Sequence, residues 1–128
     1  MSGKRSDPVP RPIKGTEYEI VFGDKAAERG WNDLRATARN ALADAWDHRT
    51  ARPTQFDSNR CYRLRGDLSE VTVDGAVLPQ WQYKVTNGGR LWYAVVEPDP
   101  KAKRVGRVII TNAAHGHPNE TDSGKNFR

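Results

Sequence analysis

The spacing of apolar and polar residues changes twice along this chain. Residues 17–22 (EYEIVF) alternate, which predicts a strand with one buried face. After Asp24, which can cap a helix, apolar residues recur every three or four positions as far as Trp46. This spacing predicts two antiparallel amphipathic helices rather than one long rod, with Thr37 as a candidate second cap. The apolar positions are Ala27, Trp31, Leu34, Ala38, Ala41, Leu42, Ala45 and Trp46.

The second half of the chain has the composition of strands. Residues 49–60 contain proline, asparagine and serine and predict a loop. Four later segments are rich in β-branched and aromatic residues and are separated by turn residues. These predicted strands are Leu68–Val73, Val77–Thr86, Arg90–Glu97 and Val105–Ala113. The predicted fold is α+β: an N-terminal strand, a two-helix hairpin, and a four-stranded antiparallel sheet packed on the helices.

The register of the predicted hairpins sorts side chains onto two faces. A three-residue loop at 87–89 places Thr86 opposite Arg90, and a three-residue loop at 74–76 places Val73 opposite Val77. One face is then apolar and packs on the helices: Trp81, Tyr83, Val85, Leu91, Tyr93 and Val95. The other face is polar and cationic: Gln80, Gln82, Lys84, Thr86, Arg90, Trp92 and Ala94.

Composition narrows the class of protein. The chain has 128 residues and a net charge of +5, so it fits one small basic domain that favours anionic partners. We expect a disordered basic arm at 1–16, a single domain at 17–118 and a flexible tail at 119–128. The excess of basic residues after position 48 places the anion-binding surface in the strand region.

The sequence also favours a cytoplasmic protein. We find no apolar run of about 20 residues, as a membrane-spanning helix requires, and no secretory signal at the N-terminus. Cys61 is the only cysteine, which excludes an internal disulfide and fits a reducing compartment. We therefore expect no membrane association.

The polar strand face has side chains that suit single-stranded nucleic acid. Lys84 and Arg90 can pair with phosphates, Gln82 can read base edges, and Trp92 can stack on a base. Arg63 and Arg65 could extend the basic rim. The alternative is an ordinary solvated sheet face, which carries similar residues.

Two histidines follow the last predicted strand, in His115-Gly116-His117-Pro118. A lone imidazole at a strand end can act as a general acid or base. A metal site is disfavoured, because no further cysteine or histidine lies nearby in sequence. We expect neither a metal nor an organic cofactor.

The order of elements and three short motifs resemble the RelE/ParE toxin superfamily of bacterial toxin–antitoxin systems. The motifs are Leu64-Arg65-Gly66-Asp67, Gly89-Arg90-Leu91-Trp92-Tyr93 and His117-Pro118, and the resemblance covers residues 18–119. It implies a RelE-like fold. Members of the RelE branch are small basic ribonucleases that cut messenger RNA in the ribosomal A site without a metal, and a cognate antitoxin silences them.

The resemblance also implies roles for individual residues. Arg90 looks like the phosphate-stabilising arginine, Lys84 like a basic strand residue, and His117 or His115 like the terminal acid or base. Gln82 stands where some relatives have a second lysine, and no tyrosine follows His117. The implied function is metal-independent cleavage of messenger RNA. The residues that we assign to RNA binding in such a protein are Arg63, Arg65, Gln82, Trp92 and His115.

Two other functions remain open at the level of sequence. The ParE branch has the same fold but inhibits DNA gyrase and lacks the ribonuclease residues. A non-catalytic RNA-binding module would bind RNA without shortening it. The presence of Lys84, Arg90 and His117 favours the ribonuclease.

Overall fold

A computed structural model describes residues 6–114 of the chain. Two helices and six strands follow one another in an order that begins with a strand. The strands are β1 (Tyr18–Phe22), β2 (Cys61–Arg63), β3 (Glu70–Val73), β4 (Ala76–Lys84), β5 (Arg90–Val96) and β6 (Gly106–Ala114), and the helices are α1 (Lys25–Thr37) and α2 (Arg39–Ala51). A single 3-10 turn covers Gly66–Leu68.

The strands form one mixed sheet in the order β1-β6-β5-β4-β2, with β3 also paired to β4. The α+β class is confirmed, but the predicted four-stranded antiparallel sheet is wrong in two details. β1 joins the sheet by parallel pairing to β6, and β2 adds an edge strand next to β4. β2 has three residues, too few for an alternating pattern to be recognised. Parallel pairing of distant segments leaves no local sequence signal.

The helix prediction is confirmed except for one cap. Asp24 caps α1, since the backbone N–H of Ala27 donates to Asp24 Oδ1 at 2.8 Å. Thr37 does not cap α2. Its hydroxyl donates instead to the carbonyl of Asp33, and the break between the helices falls at Ala38, whose φ and ψ are −148° and 50°.

The helices cover one face of the sheet and enclose the core. Leu34 and Leu42 pack there with Tyr83, Leu91 and Tyr93, all of them buried. Gly30 allows α1 to approach β6 closely: a Cβ at this position would lie 1.8 Å from the carbonyl oxygen of Ala113. Any larger residue would push the helix away from the sheet.

Both hairpins have a register different from the predicted one. Asp74 and Gly75 have φ values of 51° and 84°, so they form a two-residue turn and Val73 pairs with Ala76 instead of Val77. The β3–β4 turn is therefore one residue shorter than expected.

In the second hairpin, Lys84 pairs with Arg90, which the prediction had placed opposite Thr86. The strand pairing ends at Lys84 and Arg90, and residues 85–89 form the loop. This loop is held by two hydrogen bonds: Val85 N–H donates to the carbonyl of Gly89 at 2.9 Å, and Gly89 N–H donates to Thr86 Oγ1 at 2.8 Å. A shift of two residues keeps every side chain on its predicted face, because side chains alternate with a period of two.

A buried arginine fastens the loop between α2 and β2 to the core. Arg49 is 2% exposed, donates to the carbonyl of Pro53 at 2.8 Å, and stacks on the ring of Tyr83 at 4.3 Å. The hydroxyl of Tyr93 donates to the same carbonyl at 2.7 Å. Burial raises the pKa of Tyr93 well above its usual value, so this hydroxyl stays protonated and remains a donor.

The described part of the N-terminal segment contacts the domain at Arg11. Its guanidinium forms two hydrogen bonds to the carboxylate of Glu17, each 2.9 Å long, and lies 5.7 Å from the centre of the Trp46 ring. The hydrogen bond from Arg11, followed by that from the Lys14 N–H, lowers the pKa of Glu17 to about 2.

Candidate nucleic-acid interface

The polar face of the sheet has two regions, and the side chains at its centre are buried. The sequence predicts that this face is exposed, yet Gln80, Gln82 and Arg90 are 6%, 0% and 1% exposed. Trp92 Nε1 donates to Gln82 Oε1 at 2.7 Å, and Gln82 Nε2 donates to the hydroxyl of Tyr62 at 2.7 Å. The residues Tyr62, Gln82 and Trp92 are cross-strand neighbours, so the register itself makes this chain of bonds possible.

The side-chain amide of Gln80 is also hydrogen-bonded within the protein. Its Nε2 donates to the carbonyl of Leu68 at 2.8 Å, and its Oε1 accepts from Thr111 at 2.7 Å. We call Gln80, Gln82 and Trp92 the glutamine layer. Because both amides already have protein partners, the prediction of an exposed Gln82 amide is wrong, and Trp92 is a half-buried residue tied to that amide.

Arg90 lies at the end of this face, beside the β4–β5 loop. Its guanidinium donates to the carbonyls of Thr86 at 2.9 Å and Gly89 at 3.1 Å, which fixes it over the loop. Arg90 pairs with Lys84 on one side and with Ala114 on the other. Ala114 is the last described residue, so the predicted acid–base residues His115 and His117 lie outside the described residues.

An open groove of about 560 Å³ lies at the β2 edge of the sheet, and we call it the edge groove. It brings together three of the predicted site residues, Arg63, Arg65 and Lys84. β2 is an edge strand, so side chains from both of its faces reach the groove. None of the described residues that line it has a carboxylate: they are Phe56, Ser58, Asn59, Tyr62, Arg63, Arg65 and Lys84.

Sequence reasoning missed two aromatic residues of this groove. Phe56 is 66% exposed and belongs to the α2–β2 loop, while Tyr62 is half-buried on β2. A lone phenylalanine in a polar loop (TQFDSN) is a weak signal that could have been noticed. No pattern in the sequence distinguishes Tyr62, since its place beside Gln82 depends on the pairing of β2 with β4.

The described residues form neither a metal-binding cluster nor a membrane-spanning helix. Within positions 6–114, no three His, Cys, Asp or Glu side chains lie close enough together to hold a metal ion. Neither helix in that range has the length and apolar character needed to span a membrane.

The arrangement of strands and helices is similar to a solved structure described as "YoeB/ParE toxin from Agrobacterium tumefaciens". The two superpose with a TM-score of 0.55 over 78% of this chain and 99% of the other, at 14% sequence identity. This chain has a RelE/ParE-like toxin fold. The fold implied by the sequence resemblance is thereby confirmed. No protein-family model and no curated protein sequence matches the chain.

Within this RelE/ParE-like fold, the structure sorts the predicted site residues into two groups. Lys84, Arg63 and Arg65 lie around the edge groove. Gln82 and Trp92 belong to the glutamine layer. Arg90 stands between the two groups as the cross-strand partner of Lys84.

Proposed function

We propose that this protein is a RelE-like toxin of a toxin–antitoxin system and an endoribonuclease that cleaves messenger RNA at the ribosome. The observation that carries the proposal is the edge groove: three cations and two aromatic rings without a carboxylate among the described lining residues. Such a surface attracts a polyanion that also offers flat bases. The RelE/ParE-like fold supports the same function.

The pairing of Lys84 with Arg90 suits phosphate chemistry. Both residues project from the same face of adjacent strands, as directly opposed cross-strand neighbours. The carbonyls of Thr86 and Gly89 hold the guanidinium of Arg90 in place. Cations held in fixed positions stabilise the negative charge that grows on a phosphate during cleavage.

The proposed reaction is an attack of the ribose 2′-oxygen on the adjacent phosphorus. The bond from phosphorus to the 5′-oxygen of the next nucleotide breaks, which leaves a 2′,3′-cyclic phosphate and a 5′-hydroxyl. Lys84 neutralises the pentacovalent transition state from the groove, and the buried Arg90 adds its positive charge from behind Lys84 without touching the phosphate. His117 moves a proton at the reacting oxygens. No metal or organic cofactor takes part in the proposed steps.

The proposal includes three partners and a location. Messenger RNA and the ribosome are the targets, a cognate antitoxin protein is the inhibitor, and the cytoplasm is where all of them meet. The net charge of +5 favours association with ribosomal RNA, and this attraction weakens as salt screens it.

Primer extension on programmed ribosomes tests the proposal. The wild-type protein is expected to produce discrete cuts in the message, and Lys84→Ala and His117→Ala are expected to lose them. Lys101→Ala is the matched control, because Lys101 is an exposed cation in the turn between β5 and β6, away from the groove. Unchanged cutting by both the Lys84 and the His117 variant would remove the proposed catalytic roles.

The same preparation separates the two competing functions. A gyrase inhibitor would leave the message intact and block DNA supercoiling by purified gyrase. A binding module would retain RNA on a filter without shortening it. Either result would refute the ribonuclease proposal.

A further inference from the structure

Phe56 is an unusual residue for its position. It is 66% exposed, although burial of a phenylalanine side chain favours folding. Among the described residues, the other large apolar side chains with comparable exposure are Val9, Phe22 and Val77, and none of these lines the edge groove. A ring exposed to solvent in a groove lined by three cations offers a stacking surface to a nucleic-acid base.

The loop that carries Phe56 is held at both ends. At its start, the carbonyl of Pro53 accepts hydrogen bonds from Arg49 and Tyr93 in the core. At its end, Asp57 and Cys61 exchange two backbone hydrogen bonds of 2.8 Å each. Phe56 directly precedes this pair, so its ring is presented from a fixed backbone.

The second ring of the groove is also held. Tyr62 accepts a hydrogen bond from Gln82 Nε2 at 2.7 Å, and Gln82 is fully buried. This contact orients the Tyr62 side chain on the groove wall. Trp92, the aromatic residue expected from the sequence to stack on RNA, is engaged by Gln82 and does not line the groove.

Three cations lie around the same two rings. Arg63 and Arg65 are exposed, and Lys84 is half-buried. Aromatic faces stack on bases irrespective of sequence, and cations along a groove follow the phosphates of a single strand. A paired base could not reach the rings, because its faces are covered by its neighbours in the duplex.

We propose that Phe56 and Tyr62 form a stacking site for one unpaired base of the RNA, with Arg63 and Arg65 on the adjoining phosphates. The choice of RNA as ligand rests on the proposed function. The site lies next to Lys84, so the base that it holds is close to the bond that is cut. Phe56 is a positioning residue, since it binds a base and takes no part in proton transfer.

The test measures binding with cleavage prevented. A fluorescently labelled, unstructured RNA whose riboses carry 2′-O-methyl groups has no nucleophile, and fluorescence anisotropy gives its dissociation constant. Phe56→Ala is expected to weaken binding about 5- to 150-fold, the loss of one stacked base. Phe56→Trp is expected to retain affinity. Phe22→Ala, which removes an exposed ring from β1, is the matched control and should change nothing.

A scan of abasic positions identifies the stacked base. One abasic position is expected to weaken binding by the wild-type protein as much as Phe56→Ala does, and at that position the substitution should have no further effect. A penalty for Phe56→Ala that is the same at every abasic position would overturn the proposal. So would equal weakening of RNA and of an acidic peptide such as polyglutamate, because a peptide has no base to stack.

The outcomes distinguish this inference from the proposed function. RNA that is bound in a Phe56-dependent way but never cut would refute the ribonuclease and leave the stacking site intact. Normal cleavage together with unchanged RNA binding by Phe56→Ala would refute the stacking site and leave the ribonuclease intact. A wild-type protein that binds no RNA would overturn the stacking site.

Discussion

The glutamine layer and the edge groove lie on neighbouring parts of the same sheet. Polar side chains are buried in the layer, whereas most of those in the groove are exposed. In the layer, Gln80 and Gln82 are buried and their amides are bonded to other residues of the chain. In the groove, Arg63 and Arg65 remain exposed beside an exposed phenylalanine. A buried polar group must find its partner within the protein, whereas an exposed one can exchange water for a ligand.

The comparison shows why polar residues on one strand face are not equivalent in function. Gln82 and Lys84 are two positions apart on β4, but only Lys84 lines the groove. We therefore expect substitutions in the groove to affect RNA and leave stability unchanged. Substitutions in the glutamine layer should do the reverse.

The largest expected effect belongs to Lys84. We expect Lys84→Ala to slow single-turnover cleavage about 100- to 1,000-fold, the usual result of removing one group that stabilises transition-state charge. Lys84 is half-buried and on the polar face, so the unfolding free energy should change by no more than about 0.5 kcal/mol. Lys84→Arg keeps the charge and should recover part of the rate. Equal rates for Lys84→Ala and wild type would show that the groove is not the reaction site.

Substitutions in the glutamine layer should change the stability of the fold. Gln82→Ala is expected to lower the unfolding free energy by about 1 to 3 kcal/mol, because it leaves the indole N–H of the half-buried Trp92 without its acceptor. Urea unfolding measures this loss. The double variant Gln82→Leu with Trp92→Phe removes both partners of that bond and should be more stable than Gln82→Leu alone. The absence of any recovery would indicate that packing, not the hydrogen bond, sets the cost.

Arg65 should affect how strongly the affinity for RNA depends on salt concentration. If Arg65 contacts one phosphate, Arg65→Gln reduces the slope of log affinity against log salt by about 0.7, the value for one contact to a single strand. Phe56→Ala should weaken binding without a change in slope, because no charge is lost. Titrations of RNA at several salt concentrations distinguish the two. Lys101→Gln is the control and is expected to leave the slope unchanged, since Lys101 lies outside the groove.

The smallest effect is expected far from both regions, at the Arg11–Glu17 pair. The hydrogen bond from Arg11, followed by that from the Lys14 N–H, lowers the pKa of Glu17 from an ordinary value of 4.5 to about 2. A lowered carboxylate pKa stabilises the folded state above pH 4.5, and this contribution disappears as the pH falls through about 2. NMR titration of the Glu17 side chain should give this midpoint, and Arg11→Gln should move it upwards. An unmoved midpoint would mean that the Lys14 N–H alone is responsible.

Local patterns in the sequence predicted elements and faces well. The helix cap at Asp24 and the apolar face of the helices depend on contacts within a few residues, so they can be recognised from spacing. The division of β4 and β5 into two faces was also correct, since the error of two residues in register preserves alternation. The length of the β4–β5 loop was predicted wrongly, because the loop is held by a hydrogen bond to the hydroxyl of Thr86.

The candidate site was predicted only in part. The sequence pointed to Lys84, Arg63 and Arg65 through their charge, and the structure brings these three into one groove. It also pointed to Gln82 and Trp92, whose side chains are instead hydrogen-bonded to each other. Charge is visible along a chain, but the partner of a polar group is not, because that partner comes from another strand.

By itself, the sequence determined the order of helices and strands, the two faces of the central hairpin, the basic character and the resemblance to the RelE/ParE fold. These properties follow from the local spacing and chemistry of side chains. The tertiary structure alone decided that β2 lies at the edge of the sheet, that Phe56 and Tyr62 line the same groove, and that Gln80 and Gln82 on the polar face are buried. The physical reason is that burial and hydrogen-bond partners depend on strands that are distant in the chain.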